Sequence, residues 1–212
     1  IMNHEATKDE TQIIVRPAKK EDIPAIREIA MEGFGEDIAF KTEHYESQMD
    51  IFPAGQMCVE YNNKIVGASG SLIVARKDWD RDHVFDEICD EGYIRNHTPE
   101  ADHLYGIEVV VHSEYRNLKI GRKLYKARQD LCRGLGLESV IIGGRIPNYH
   151  KYEDLLTPEE YAKRVEAREI YDPVMTFQLN NGFTFLGILK NYLPEDKESR
   201  FNATLMEWKN EM

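Results

Sequence analysis

Hydrophobic positions change period several times along the chain, and each change marks a predicted element. Apolar residues crowd Gln12–Ala18, a strand, and then recur at Ile23, Ile26, Ile29 and Ala30, which predicts a helix over Lys19–Phe34. Thr42 is placed to cap a second helix that runs to about Met49 and stops before Pro53. Gln56–Tyr61 and Lys64–Arg76 flank Asn62-Asn63, and a turn pair between two such runs predicts a hairpin. Lys77–His103 breaks the rhythm. It is acidic, carries Trp79, Phe85, Ile88 and Tyr93, and is expected to be an inserted segment packed partly on the main body.

Regular patterning resumes with a strand over Leu104–Val111. A helix over about Leu118–Leu135 follows, with Ile120, Leu124, Ala127, Leu131 and Leu135 on one side and Gly134 and Gly136 as its stop. Ser139–Ile142 is a short buried strand leading into Gly143-Gly144-Arg145-Ile146-Pro147. A strand–helix–strand unit of this length is a parallel crossover, whose ligands bind beyond the strands' C-terminal ends. Asn148–Asp172 is a long polar segment with its own helix from about Pro158 to Ile170. Val174–Asn180 is a short helix stopped by Asn181-Gly182, and Phe183–Lys190 and Ala203–Trp208 close the chain as strands.

A chain of 212 residues, 42% hydrophobic and 31% charged, suits one α/β domain with a mixed sheet over residues 12–212, preceded by a loose tail at residues 1–11. No apolar run approaches the roughly 20 residues of a membrane span, and no signal-peptide pattern opens the chain. Cys58, Cys89 and Cys132 are scattered and read as reduced thiols of a cytoplasmic protein. The net charge of −11 argues against nucleic acid and suits an amine substrate. His83, Cys89, His97 and His103 have no metal-ligand spacing, so packing roles and no metal are expected.

Candidate chemistry concentrates in Val109–Leu124. A β-branched run ends, a polar turn follows, and Arg116, Lys119, Arg122 and Lys123 gather where a helix begins. That is the wrong end of a helix for cations, because the macrodipole is already positive there. An anion held by the first-turn N–H groups would resolve the conflict, which makes a phosphate-bearing ligand the first hypothesis. The competing account is a solvated helix start whose basic residues pair with Glu108 or Glu114.

Val111-His112-Ser113 followed by Arg116-Asn117-Leu118-Lys119-Ile120-Gly121 resembles the signature of the GNAT superfamily, a Val-x-Pro strand end and then [Arg/Gln]-x-x-Gly-x-[Gly/Ala]. Asn181-Gly182-Phe183 is similar to the Gly-Phe after that family's last helix. Gly144–Tyr152 and Tyr171-Asp172-Pro173-Val174 resemble the acetyltransferase domain fused to nitrilase-type amidohydrolases in many bacteria, and the expectation for 212 residues is the acetyltransferase part without room for that second domain.

The resemblance implies the acyl-CoA N-acyltransferase fold, with Lys77–His103 and Asn148–Asp172 as decorations over the acceptor side. It also implies acetyl-CoA as co-substrate. The pantetheine arm would pair with the backbone of Val109, Val110 and Val111, and the N–H groups of Asn117–Arg122 would hold the pyrophosphate. Arg116, Asn117, Leu118, Lys119, Ile120, Gly121 and Arg122 are thus expected to bind cofactor. Lys119 and Ser113 depart from the motif, and a lysine in place of glycine forces φ below zero or a strained turn.

Acetyl transfer to an amine needs a base and an acid. The positions where many relatives carry a glutamate and a tyrosine hold Gly143 and Gln178. Glu108 is the best remaining base, with an ion pair as its competing role, and His112 is a second candidate because histidine is the residue type suited to proton transfer near neutrality. Tyr149, Tyr152, Tyr171 and Tyr192 are candidate acids, with Tyr171 preferred for its place ahead of the last helix. Arg145 and Tyr149 are expected to line the acceptor pocket. Glu32, Glu36, Asp37, Glu43 and Glu46 form an acidic supply for a cationic acceptor or a plain solvated face. The expected function is transfer of acetyl to a small-molecule or peptidyl amine by direct attack in a ternary complex, in a protein that also forms a homodimer. The alternative is an acyl-CoA-binding module docked on a partner.

Overall fold

The computed structural model describes residues 12–211; the tail expected at residues 1–11 lies outside the described residues. The strands are β1 (Ile13–Pro17), β2 (Met57–Tyr61), β3 (Lys64–Val74), β4 (His103–Val111), β5 (Ser139–Gly144), β6 (Thr184–Leu189) and β7 (Ala203–Lys209). They form one sheet in the order β1-β2-β3-β4-β5-β7-β6. Only β4 and β5 run parallel, as the crossover required; every other pair is antiparallel. Asn62 and Asn63 have φ of 49° and 63°, the two positive angles that a tight hairpin between β2 and β3 needs.

The helices are α1 (Ile23–Phe34), α2 (Thr42–Ile51), α3 (Arg76–Trp79), α4 (Phe85–Ile88), α5 (Ile120–Gly134), α6 (Pro158–Glu166) and α7 (Met175–Asn180). Val59, Tyr61 and Val66 pack on Ile120 and Leu124 of α5. Cys58, of opposite parity to Val59 and Tyr61, and its cross-strand partner Ala68 belong to the larger core with Ile26 and Ile29 of α1. Covering both faces explains why β3 reads as a nearly continuous apolar run.

Several boundaries move for local reasons. The first helix was expected from Lys19, but Lys20–Asp22 is a 3-10 turn leading into α1. There the Asp22 carboxylate accepts bonds from Arg16 at 2.8 and 3.0 Å and from the Lys19 N–H, tying β1 to the helix. Thr42 is the first residue of α2 and not its cap; His44 Nδ1 accepts from the Lys41 N–H at 2.8 Å instead. α6 ends at Glu166, short of Ile170, and Arg168 turns left-handed with φ 66°. The Lys77–His103 segment is more than a surface excursion, since Trp79, Ile88 and Ile94 are buried in the core.

The β3–β4 ladder shifts register at one point. Gly70 opposes Glu108 and Ser71 opposes Gly106, which leaves Ile107 as a bulge in β4. The parallel pairing with β5 ends at the same level, at Gly106 opposite Ile142. Beyond it β5 pairs with β7 alone as far as Gly144, while β4 continues to Val111 beside β3. The two central strands therefore part.

Candidate active site

A cleft of about 230 Å³ opens where β4 and β5 part. Gly106–Val109 lines one side and Ile142–Arg145 the other, with Arg128, Gln178, Tyr192 and Asp196 among the remaining walls. Arg128 braces the opening. Its guanidinium, 3% exposed, donates to the carbonyl oxygens of Gly70 at 2.9 Å and Glu108 at 2.8 Å, the residues that oppose each other at the bulge. Position 106 must be glycine for this, because a Cβ there would lie 2.3 Å from Arg128 Nη1.

Glu108 faces the cleft on β4. Among the described residues no basic side chain pairs with it; the buried Tyr45 hydroxyl donates to its carboxylate at 2.8 Å. Burial pushes the Glu108 pKa up to about 7, against the opposing pull of the Tyr45 hydrogen bond and the nearby Arg128 charge. Such a carboxylate changes charge near neutrality, as a general base should.

The two catalytic positions that depart from the family pattern hold residues with other contacts. A Cβ at Gly143 would meet the Tyr192 ring at 2.3 Å, so no glutamate fits there. Gln178 Nε2 donates to the Tyr125 hydroxyl at 3.3 Å beneath the cleft. The hydroxyl at the strand parting comes from Tyr192, which is 5% exposed and sits over Gly143. Phe85 of α4 holds it, through an N–H bond to the Tyr192 carbonyl at 2.9 Å and an edge-on ring contact at 5.8 Å.

On the other side of the bulge, Ile107–Val111 has β3 on one edge and, among the described residues, no strand on the other. Val110 is buried; Val109 and Val111 are half-buried. This edge leads through His112 and a 3-10 helix (Ser113–Leu118) to Lys119, whose φ of 57° and ψ of 36° are left-handed. The turn is thus made by the strained route. Ile120, Gly121 and Arg122 open α5, and Arg116, Asn117, Lys119 and Arg122 are exposed around its start, with Leu118 half-buried. The ion pairs of α5 lie further along it, Lys126–Asp130 and Arg133–Asp130, so the basic start is not spent on Glu108 or Glu114.

Four expectations are corrected. Tyr171 is 67% exposed and off the cleft wall, because the neighbouring Asp172 is drawn inward by the Tyr161 hydroxyl and the Val174 and Met175 N–H groups. Tyr149 is buried in the 148–172 segment, donating to the Leu156 carbonyl at 2.9 Å, and does not reach the cleft. That segment contributes no cleft residue; α6 packs on β6 and α7 instead. Glu36, Glu43 and Glu46 do gather, but with Arg27 and Lys41 around a separate hollow, while Glu32 accepts a bond from the Ser113 hydroxyl.

Arg145 does line the cleft, paired at 2.7 Å with the buried Asp196. The four residues weighed for metal each have a partner of their own: His83 with Tyr105, His97 with the Ile73 N–H, His103 with Ser139, and Cys89 with the Phe85 carbonyl. Among the described residues no group of three or more His, Cys, Asp or Glu is arranged to hold a metal. None of the described helices is long and apolar enough to cross a membrane.

Tyr45, Arg128 and Asp196 escaped the sequence reading. Arg128 had a signal: it falls on the apolar face of its helix, four residues after Leu124. Tyr45 and Asp196 had none, because only the fold brings them to β4 and β5.

The sequence model of the acetyltransferase (GNAT) family matches residues 23–153. The chain is 47% identical over 204 residues to "Probable hydrolase YhcX" of Bacillus subtilis (strain 168), covering 96% of this chain and 40% of that protein. It thus spans well under half the length of this relative. It is 35% identical over 177 residues to "Uncharacterized N-acetyltransferase YkwB" of the same organism, covering 84% of this chain and 78% of that protein. Among solved structures, the loading GNATL domain of CurA from Lyngbya majuscula superposes with a TM-score of 0.82 at 21% identity, covering 93% of this chain and 97% of that one.

Proposed function

Because the chain belongs to the acetyltransferase (GNAT) family, we propose that it moves an acetyl group from acetyl-CoA to a primary amine of a small molecule or peptide, by direct attack in a ternary complex. The observation that carries this reading is the unpaired edge of Ile107–Val111 running into the basic start of α5. Backbone groups along such an edge pair with an amide-bearing arm as they would with a strand. Arg116, Lys119, Arg122 and the first-turn N–H groups supply donors and positive charge for a pyrophosphate.

Glu108 is then the base that takes the first proton from an ammonium substrate, and its pKa of about 7 leaves much of it ionised at neutral pH. Tyr192, not Tyr171, presents the hydroxyl at the strand parting. Calorimetric titration with CoA, followed by amine-dependent thiol release over a broad panel, tests this assignment. We expect saturable CoA binding, turnover with at least one amine, and a loss on the order of 10²-fold or more in kcat for Glu108→Gln with CoA affinity kept. Absence of CoA binding would overturn the proposal. Binding without transfer to any amine would point to an acyl-CoA-binding module that docks on a partner.

A further inference from the structure

His83, Tyr105 and Tyr192 form an unbroken hydrogen-bonded row that ends at the cleft. His83 Nε2 lies 2.8 Å from the Tyr105 hydroxyl, and that hydroxyl lies 2.8 Å from the hydroxyl of Tyr192. The far end gives the row a direction. His83 Nδ1 is 2.8 Å from the Arg81 carbonyl oxygen, which can only accept, so Nδ1 carries the hydrogen. In a neutral imidazole Nε2 must then accept, so Tyr105 donates to His83 and Tyr192 donates to Tyr105. Tyr192 therefore meets the cleft as an acceptor, with its own hydrogen turned away.

The groups around His83 keep it neutral at the outset. Burial lowers its pKa and the Arg81 charge acts the same way, against the Arg81 carbonyl bond and the charges of Glu87 and Asp82. Its ring also packs edge-on against both Tyr105 and Tyr192. Burial raises the pKa of both phenols, so they carry protons and do not act as resident anions. Tyr105 has no exposure and is not part of the cleft wall.

We propose that His83, acting through Tyr105 and Tyr192, is a reversible proton store for acetyl transfer, receiving the amine's second proton and returning it to the departing sulfur. The inference rests on the acetyl transfer proposed above. The amine nitrogen bonds to the thioester carbon as the carbonyl π bond breaks and its pair moves to oxygen, to return when the sulfur departs; an N–H bond of that nitrogen then breaks and an O–H bond forms at Tyr192. The original Tyr192 hydrogen passes to Tyr105, and that of Tyr105 to His83 Nε2. The row now points the other way, and Tyr192 donates toward the cleft. When the C–S bond breaks, Tyr192 gives a proton to the thiolate and the row shifts back, leaving His83 neutral. No electron is exchanged, and only the amine and acetyl-CoA take part. Glu108 handles the other proton, which an ammonium loses before attack. His83 and Tyr105 are positioning residues here, because neither touches substrate.

Two measurements test the row. Imidazole ¹⁵N NMR of the free protein at neutral pH is expected to show His83 with hydrogen on Nδ1 and a bare Nε2; hydrogen on Nε2 would overturn the relay. This arm needs no acceptor, so it stands even if no amine is acetylated and the functional proposal fails. For kinetics, acetyl-CoA is paired with whichever panel amine gives the highest kcat/KM. Tyr105→Phe keeps the ring and removes the middle hydroxyl. We expect kcat to fall on the order of 10²-fold with KM for acetyl-CoA unchanged. The wild-type solvent-deuterium effect on kcat should be a curved, multi-proton one that becomes linear in Tyr105→Phe. Tyr105→Phe/Tyr192→Phe should be no slower than the slower single variant, since one broken row cannot be broken twice. A Tyr105→Phe enzyme with wild-type kcat, or a kcat loss that leaves the curved proton inventory intact, would overturn the proposal.

Discussion

Glu108 holds its proton to about pH 7 because it is buried, with the Tyr45 hydroxyl as its hydrogen-bond donor. As a base it must be ionised, so kcat/KM is expected to fall as pH drops through about 7, and the acid limb of the pH–rate profile should vanish in Glu108→Gln. Stability runs the opposite way. The folded state binds this proton more tightly than the unfolded chain, whose glutamates titrate near ~4.3. The resulting penalty is absent below that value, grows up to about pH 7 and is full above it, at roughly 4 kcal/mol as an upper bound. Glu108→Gln should accordingly gain thermal stability relative to wild type as pH rises from 5 to 8, while losing activity; a pH-independent difference in Tm would exclude this account. Lys119 raises a second opposition between stability and function. Its left-handed backbone is costly for any residue with a Cβ, so Lys119→Gly should raise stability by about 0.5–1 kcal/mol in denaturant melts. The same change removes a cation from the start of α5 and should weaken CoA binding several-fold by calorimetry.

The start of α5 and the bulge of β4 are the two elements on which the site depends. Charge reversal at Arg122 should raise the Kd for CoA about tenfold at low salt and much less at ~0.5 M salt, where exposed charges are screened. Gly106→Ala would drive a methyl into the Arg128 guanidinium and release a buried cation from its carbonyls. We expect a loss of about 3 kcal/mol in denaturant melts, with acetyl transfer abolished. The sheet was legible in the sequence because its signals are local: two apolar runs around an Asn-Asn turn, a crossover of fixed length, and a cationic helix start. The cleft was only half legible. Glu108 and Arg145 lie on β4 and at the end of β5, and both reach it. Tyr192 and Asp196 come from the loop before β7, where nothing nearby in the chain reports that the strand parting is opposite. Tyr171 was preferred over Tyr192 for its place ahead of the last helix, but the inward anchoring of Asp172 turns it outward.

Across the whole molecule, a net charge of −11 coexists with a basic helix start, so under the proposed function an anionic cofactor and a cationic acceptor would be drawn to different places. Besides Glu108, the cleft wall holds Asp196, which shares an adjoining hollow with Arg145, Glu195 and Glu198, while Glu36, Glu43 and Glu46 line a separate one. Glu195→Gln/Glu198→Gln should therefore raise KM for a cationic amine a few-fold at low salt with KM for acetyl-CoA unchanged, whereas Glu36→Gln should change neither. The three cysteines have a consequence at the bench. Cys58, Cys89 and Cys132 are all free and buried, and burial pushes their pKa values up to about 12, 12 and 11. Thiolate, not thiol, attacks a disulfide dye. The folded enzyme should thus be colourless to such a dye, so that every thiol counted during turnover is released CoA. Denaturant should then reveal three more per chain, making the same reagent a clock for unfolding.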